Sequence, residues 1–276
     1  MQAAKAEGFE LRGTTTPLRT LIADLWEKRA LIRLLARRDF HVRYRRATFG
    51  LVWVVAVPLI QATVLSIVFS RIVRVQVKTS YPVFMLSGLL PWLFFSMTIT
   101  AAVTAITGAS GLAAKVYFPR AILPLVVVRS NFYGFGLRLL VVIAAALLFG
   151  VGIGTSIVLL VPAVGLMIGL AAAFALVFAA MQVYFRDVNF IVTAVAQAWF
   201  WGSAVFYPIS LVPEGPLRTL MRINPATGMV SLFRSAIIQT APDWQLVGYS
   251  SAWIAGLLVA SVFLYRRFDR VFTDLL

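Results

Sequence analysis

The 276-residue sequence contains no cysteine and a single histidine, His41. A disulfide framework and a thiolate metal site are therefore excluded, and no pair of imidazoles is available for a zinc centre. Acidic residues are scarce, 10 in all, and none falls inside a long apolar run, where an ion-coupled carrier places its relay carboxylate. No G-x-x-x-x-G-K-[ST], H-E-x-x-H or G-x-S-x-G pattern occurs, so neither nucleotide hydrolysis nor zinc or serine hydrolase chemistry is expected in this chain. Energy for any transport must come from elsewhere.

What is present is apolar: 61% of the residues are hydrophobic and only 13% charged, a composition that specifies an integral membrane protein. The formal net charge of +15 would suggest nucleic acid for a soluble domain. Here most basic residues flank apolar runs, where they read as orientation signals and contacts to lipid headgroups, and no nucleic-acid partner is expected.

Runs of about 20 apolar residues, the length that crosses a bilayer, occur at 47–70, 83–106, 122–150, 155–182, 189–207 and 244–265. The expected fold is all-α: six transmembrane helices, residues 49–265, between a segment 1–48 and a tail 266–276. The start is polar and basic up to the first apolar run, and reads as a retained segment rather than a cleaved leader. Within it, Pro17 can start a helix whose apolar stripe is Leu18, Leu21, Ile22, Leu25 and Trp26. That helix lies in the membrane interface or packs on a partner. "RRDFHVRYRR", 37–46, then reads as a cationic juxtamembrane segment.

Of the 25 Lys and Arg, six (Arg71, Arg74, Lys78, Arg218, Arg222 and Arg234) fall on one side of this topology, two (Arg129 and Arg138) lie within span three, and the remaining 17 share the side of the N-terminus. The bias puts both termini in the cytoplasm. It also places there the loop around 108–124, with "AAKVYFPRAILPL". The long break at 207–243 falls outside and contains two short helical stretches, Leu217–Ile223 and Met229–Ile238.

In span three, Asn131 and Arg138 share a helix face and Arg129 lies opposite. Arg129 can snorkel, whereas Asn131 and Arg138 either face a pathway or dimer partner or pair with a neighbouring helix. The abundant aromatics, among them Trp53, Tyr133, Trp199, Trp201 and Tyr207, fit interface belts. They would equally line a passage in which sugar rings stack their C–H faces.

Taken in order, these segments resemble the membrane subunit of an ABC exporter of the polysaccharide-export branch. "RRDFHVRYRRATFGLVW" is similar to the family's basic segment entering span one, through Arg38, Asp39, Arg43, Tyr44, Gly50 and Trp53, with Phe49 in place of a leucine. "KVYFPRAILPL" matches the family's first cytoplasmic loop at Lys115, Phe118, Pro119, Arg120 and Pro124. Arg186 and Asp187 match an Arg-Asp pair before span five, Asn224-Pro225 an Asn-Pro pair, Arg234 the basic residue after it, and Phe268, Phe272 and Asp274 the ending. Tyr207-Pro208-Ile209 stands where relatives carry Ser-Pro-Ile.

The resemblance implies a permease without its own cofactor, in the bacterial inner membrane. Two copies would assemble with two nucleotide-binding subunits that bind ATP and Mg, and would move an undecaprenyl-diphosphate-linked polysaccharide of O-antigen, capsule, teichoic acid or galactan type. It also implies a coupling helix at Lys115, Tyr117, Phe118, Pro119 and Arg120 and short re-entrant helices at the outer mouth. Arg43, Arg45 and Arg46 are candidates to attract the lipid diphosphate. Channel or dimer-face candidates are Trp53, Asn131, Tyr133, Arg138, Trp199, Trp201 and Tyr207. Alternatives are an ABC permease for a drug, lipid or haem, a membrane enzyme acting on lipid-linked sugars, and, more weakly, a secondary carrier.

Overall fold

A computed structural model of the chain describes residues 26–45, 49–109 and 120–268, with side chains to 265. The stripe 18–25, the coupling segment through Pro119, Arg46 and the tail beyond 268 lie outside the described residues.

All regular structure among the described residues is helical. In chain order the helices are α1 (Arg29–Tyr44), α2 (Val52–Ile67, running on through one wider turn, Val68–Ile72), α3 (Tyr81–Val103), α4 (Ile122–Leu148) and α5 (Leu160–Tyr184). They continue as α6 (Val188–Trp201), α7 (Pro216–Ile223), α8 (Pro225–Ile238) and α9 (Trp244–Phe268). Proline in the first turn pre-sets the start of α3, α7 and α8. Asn224 adds a side-chain cap to α8, accepting from the Ala226 N–H. The left-handed Gln239 closes α8, and its amide oxygen accepts from Ser156 N–H across the turn before α5.

Among the described residues, five helices are long and apolar enough to cross a membrane: Val52–Ile72, Tyr81–Val103, Ile122–Leu148, Thr155–Tyr184 and Trp244–Tyr265. They coincide with five of the six expected spans. The remaining expectation, 189–207, fifth in chain order, is realised differently. α6 has 14 residues, about 21 Å of helix against about 30 Å of bilayer core, and 202–207 is an unwound turn with Ala204 at φ 51. Backbone without helical bonds is tolerated among apolar helices only where other groups satisfy it, and side chains do so here. The carbonyl of Trp201 accepts from Tyr207 Oη and that of Gly202 from Asn224 Nδ2. Those of Ala204 and Val205 accept from the Arg234 guanidinium, and that of Phe206 from Tyr81 Oη.

The hub is α3, 78% buried over its apolar window, against 22% for the first span and 17% for α9. It is surrounded by α2, α4, α5, α6 and α8. Phe94 and Phe95 of α3 are fully buried, and their ring contacts extend to Phe135 of α4, Phe174 of α5 and Trp199 of α6. Between apolar helices in lipid this edge-to-face packing, not water exclusion, provides much of the cohesion. α8, with 12 of its 14 residues buried, inserts into the same core, whereas α7 buries only Met221.

A second apolar cluster joins Ala36 of α1, Ile106 after α3, Ile122 of α4, Ala179 and Ala180 of α5, and Tyr265 of α9. The N-terminal helix and the end of the last helix therefore meet at one end of the bundle. The 37–46 segment is not a mere charged flank, because 29–44 is a helix packed on α4. Its inner stripe is Ile32, Leu35, Ala36, Asp39, Phe40 and Arg43, at helical spacing.

Candidate functional site

The inner stripe of α1 brings charge to the bundle. Arg43 Nη2 meets Asp39 Oδ2 at 2.9 Å one turn earlier, and Arg43 Nη1 donates to Asn131 Oδ1 of α4 at 2.7 Å. Ser130 Oγ donates to the same Asp39 oxygen at 2.6 Å, and Asn131 Nδ2 donates to Thr98 Oγ1 of α3 at 3.1 Å. This clasp ties α1 to α4 through bonds in which one partner is ionised, about twice as strong as neutral ones, and α4 to α3 through the neutral Asn131–Thr98 bond. Arg43 and Asn131, expected in different roles, are thus direct partners. Arg45 is exposed at the end of α1.

Arg138, two turns along the same face of α4, is also buried. Its Nε donates to the Val54 carbonyl of α2 at 3.0 Å, and Nη2 lies 3.5 Å from Met97 Sδ. Arg129 is exposed on the opposite side, with its guanidinium 5.9 Å from the Tyr133 ring.

Beyond the clasp, α2, α3 and α6 enclose a groove of about 720 Å³. Trp92, Ser96 and Thr100 line it from α3, Thr193, Gln197 and Trp201 from α6, and Gln61, Val64 and Leu65 from α2, joined by Leu93, Met97, Ala196 and Phe200. Among the described residues, no charged side chain lines it. Thr100 and Thr193 donate their hydroxyl hydrogens to backbone carbonyls four residues back, which leaves lone pairs toward the groove. The surface therefore combines flat aromatic faces with hydroxyls and amides able to exchange bonds with a hydrated cargo.

Of the aromatic candidates, only Trp201 lines this groove. Trp53 is exposed on α2, edge-to-face with Phe49 at 6.0 Å. Tyr133 packs on Phe40 of α1 at 5.8 Å. Trp199 points into the core against Trp92, Phe95 and Phe174, and its Nε1 donates to Asn224 Oδ1 at 2.8 Å. Tyr207 closes the unwound turn. Arg120, in the turn before α4, is half-buried.

Sequence reasoning missed the polar lining. A signal existed: Trp92, Ser96 and Thr100, and likewise Thr193, Gln197 and Trp201, recur every four residues, the spacing of one helix face. Asp39 and Arg43 obey the same rule on α1.

The arrangement is that of a membrane permease: long apolar helices around an uncharged amphipathic groove, a basic helix at one end, and no metal-binding cluster of His, Cys, Asp or Glu among the described residues. The profile of the family described as ABC-2 type transporter matches residues 30–238, and the chain belongs to that family. The O-antigen export system permease protein RfbA of Myxococcus xanthus is 32% identical over 251 residues, covering 90% of this chain and 96% of the relative. A protein of the same name from Klebsiella pneumoniae is 25% identical, covering 84% and 88%. The polysialic acid transport protein KpsM of Escherichia coli is 23% identical, covering 86% and 91%. The family is one of transporter membrane subunits rather than enzymes.

Proposed function

We propose that this chain is the permease of an ABC exporter for a polysaccharide built on an undecaprenyl diphosphate carrier, of O-antigen, capsule, teichoic acid or galactan type. In this reading two copies of the chain and two copies of a separate ATPase form the transporter in the bacterial inner membrane. The ATPase binds ATP and Mg, and both termini face the cytoplasm.

The observation that carries the reading is the groove between α2, α3 and α6, uncharged yet lined by Trp92, Phe200 and Trp201 alongside Gln61, Ser96, Thr100, Thr193 and Gln197. A sugar chain offers apolar C–H faces and many hydroxyls, and such a lining satisfies both without fixing any one ring. The names of the relatives, O-antigen export and polysialic acid transport, support the same cargo class. α2 and α6 leave Val64 and Trp201 exposed on the groove lining, an apolar surface suited to a second copy that closes the groove into a passage.

Lys115, Tyr117, Phe118, Pro119 and Arg120 occupy the connection between α3 and α4. A push on that connection reaches the groove directly, because Thr100, Met97 and Ser96 are within two turns of the α3 terminus at Val103. Arg45, exposed at the clasp end, would attract a lipid diphosphate, and Arg46 follows it in the sequence. Arg43 already has Asp39 and Asn131 as partners and would have to exchange them.

The test is depletion of the chain in its own cell with analysis of lipid-linked glycans on each face of the inner membrane, together with purification of the complex. Glycan held inside and a co-purifying ATPase are expected. Unchanged surface glycan, or turnover of a lipid-linked sugar by the chain alone, would overturn the reading.

A further inference from the structure

Pro58 stands inside α2 and is buried. An α-helix bonds each N–H to the carbonyl four residues earlier, and proline has no N–H. The carbonyl left without its helical donor by Pro58 is that of Val54, and this is the oxygen to which Arg138 Nε donates at 3.0 Å. The guanidinium comes from another helix, 84 residues further along the chain.

Two further observations converge on the same place. Arg138 is only 6% exposed, and no carboxylate pairs with it among the described residues. A buried cation without a counter-charge is costly, so its carbonyl partner carries weight. A small void of about 10 Å³ also lies beside Pro58 and Arg138.

We infer that Arg138 is a positioning residue for transport. Its guanidinium takes the place of the hydrogen bond that Pro58 removes from α2, and so holds the half of α2 beyond the proline, which carries Gln61, Val64 and Leu65, in place as one wall of the groove. The inference rests on the proposed function for its transport consequence. Its structural content, that Arg138 serves the proline break, stands independently of the cargo.

The test is a cycle of Arg138→Met, Pro58→Ala and the double variant in the full complex. Alanine at 58 restores the N–H that Val54 lacks, so the guanidinium becomes dispensable. Arg138→Met alone is expected to lower export and coupled ATP turnover by about tenfold, the scale of a lost charged hydrogen bond. Arg138→Lys should recover part of the loss, and Arg138→Met in the Pro58→Ala background should add less than about twofold. Equal loss in both backgrounds, or no loss from Arg138→Met alone, would overturn the inference.

A second readout needs no cargo. Because the chain contains no cysteine, spin labels at Thr63→Cys on α2 and Leu140→Cys on α4 can be placed without altering the background. The distance between them should broaden in Arg138→Met and sharpen again in the double variant. A distribution indifferent to Arg138, or one that broadens equally in both backgrounds, would sink the positioning role whatever the exporter carries.

Discussion

Two buried arginines serve two breaks in the helical backbone, and they differ in scale. Arg138 meets one carbonyl, Val54, inside an otherwise continuous helix. Arg234 meets two, Ala204 and Val205, in a stretch where the helix has ended altogether, and its guanidinium lies 3.8 Å from the Phe84 ring centre. Neither is paired with a carboxylate among the described residues. Inside an apolar bundle the partner of a guanidinium is here the peptide oxygen, and the cation is the means by which non-helical backbone is kept among helices. The contrast teaches where movement is available: one bond at a proline is a joint, whereas five carbonyls served by side chains form a fixed corner.

The largest effect should come from breaking the corner. Arg234→Met leaves two buried carbonyls without donors, a cost of about 2–6 kcal/mol at about 1–3 kcal/mol each. The expected outcome is loss of the monodisperse, detergent-extracted protein on size-exclusion chromatography. Gly88→Ala attacks the same corner from α3, since a methyl there overlaps Arg234 Nη2 and the Val205 carbonyl. Neither atom can withdraw without giving up a bond, and Gly88→Ala should resemble Arg234→Met in the same assay.

At the joint the effect is smaller. Arg138→Met exposes one carbonyl, about 1–3 kcal/mol, so the protein should still assemble and show a lowered melting temperature by tryptophan fluorescence. Smaller again is Asn131→Ala in the clasp, which removes the link between Arg43 and Thr98 but leaves the Asp39 contacts with Arg43 and Ser130. A decrease of about 1 kcal/mol is expected, with increased proteolysis near α1. Gly134→Ala should change least, within about 0.5 kcal/mol in the melting assay, because its new methyl makes only ordinary contacts with Val54 and Phe40. If Arg138→Met proved as damaging as Arg234→Met, the distinction between joint and corner would be lost.

Much of the fold was legible because long apolar runs allow little else in a bilayer. Five runs became the five long helices, and the short stretches Leu217–Ile223 and Met229–Ile238 became α7 and most of α8. The fifth run misled, because a continuous apolar composition over 189–207 looks the same whether or not it stays helical. Its ending at Trp201 is stabilised by Arg234 and Tyr81, 30 and 125 residues away from their acceptors Ala204 and Phe206. α1 was hidden by its charges: Asp39 and Arg43 lie on the inner stripe and interrupt its apolar pattern.

By itself the sequence determined that this is a helical membrane protein, that its basic residues flank the apolar runs, and that Asn131 and Arg138 share a face. These follow from composition and from the 3.6-residue repeat, which need no partner. Which way each polar residue spends its hydrogen bonds was decided only by tertiary structure. Asn131 joined Arg43 and Thr98, Arg138 went to the carbonyl that Pro58 left open, and Trp199 turned inward while Trp201 turned to the groove. In an apolar bundle a polar side chain bonds to whatever unsatisfied group lies within about 3 Å, and that neighbour is set by how the helices pack.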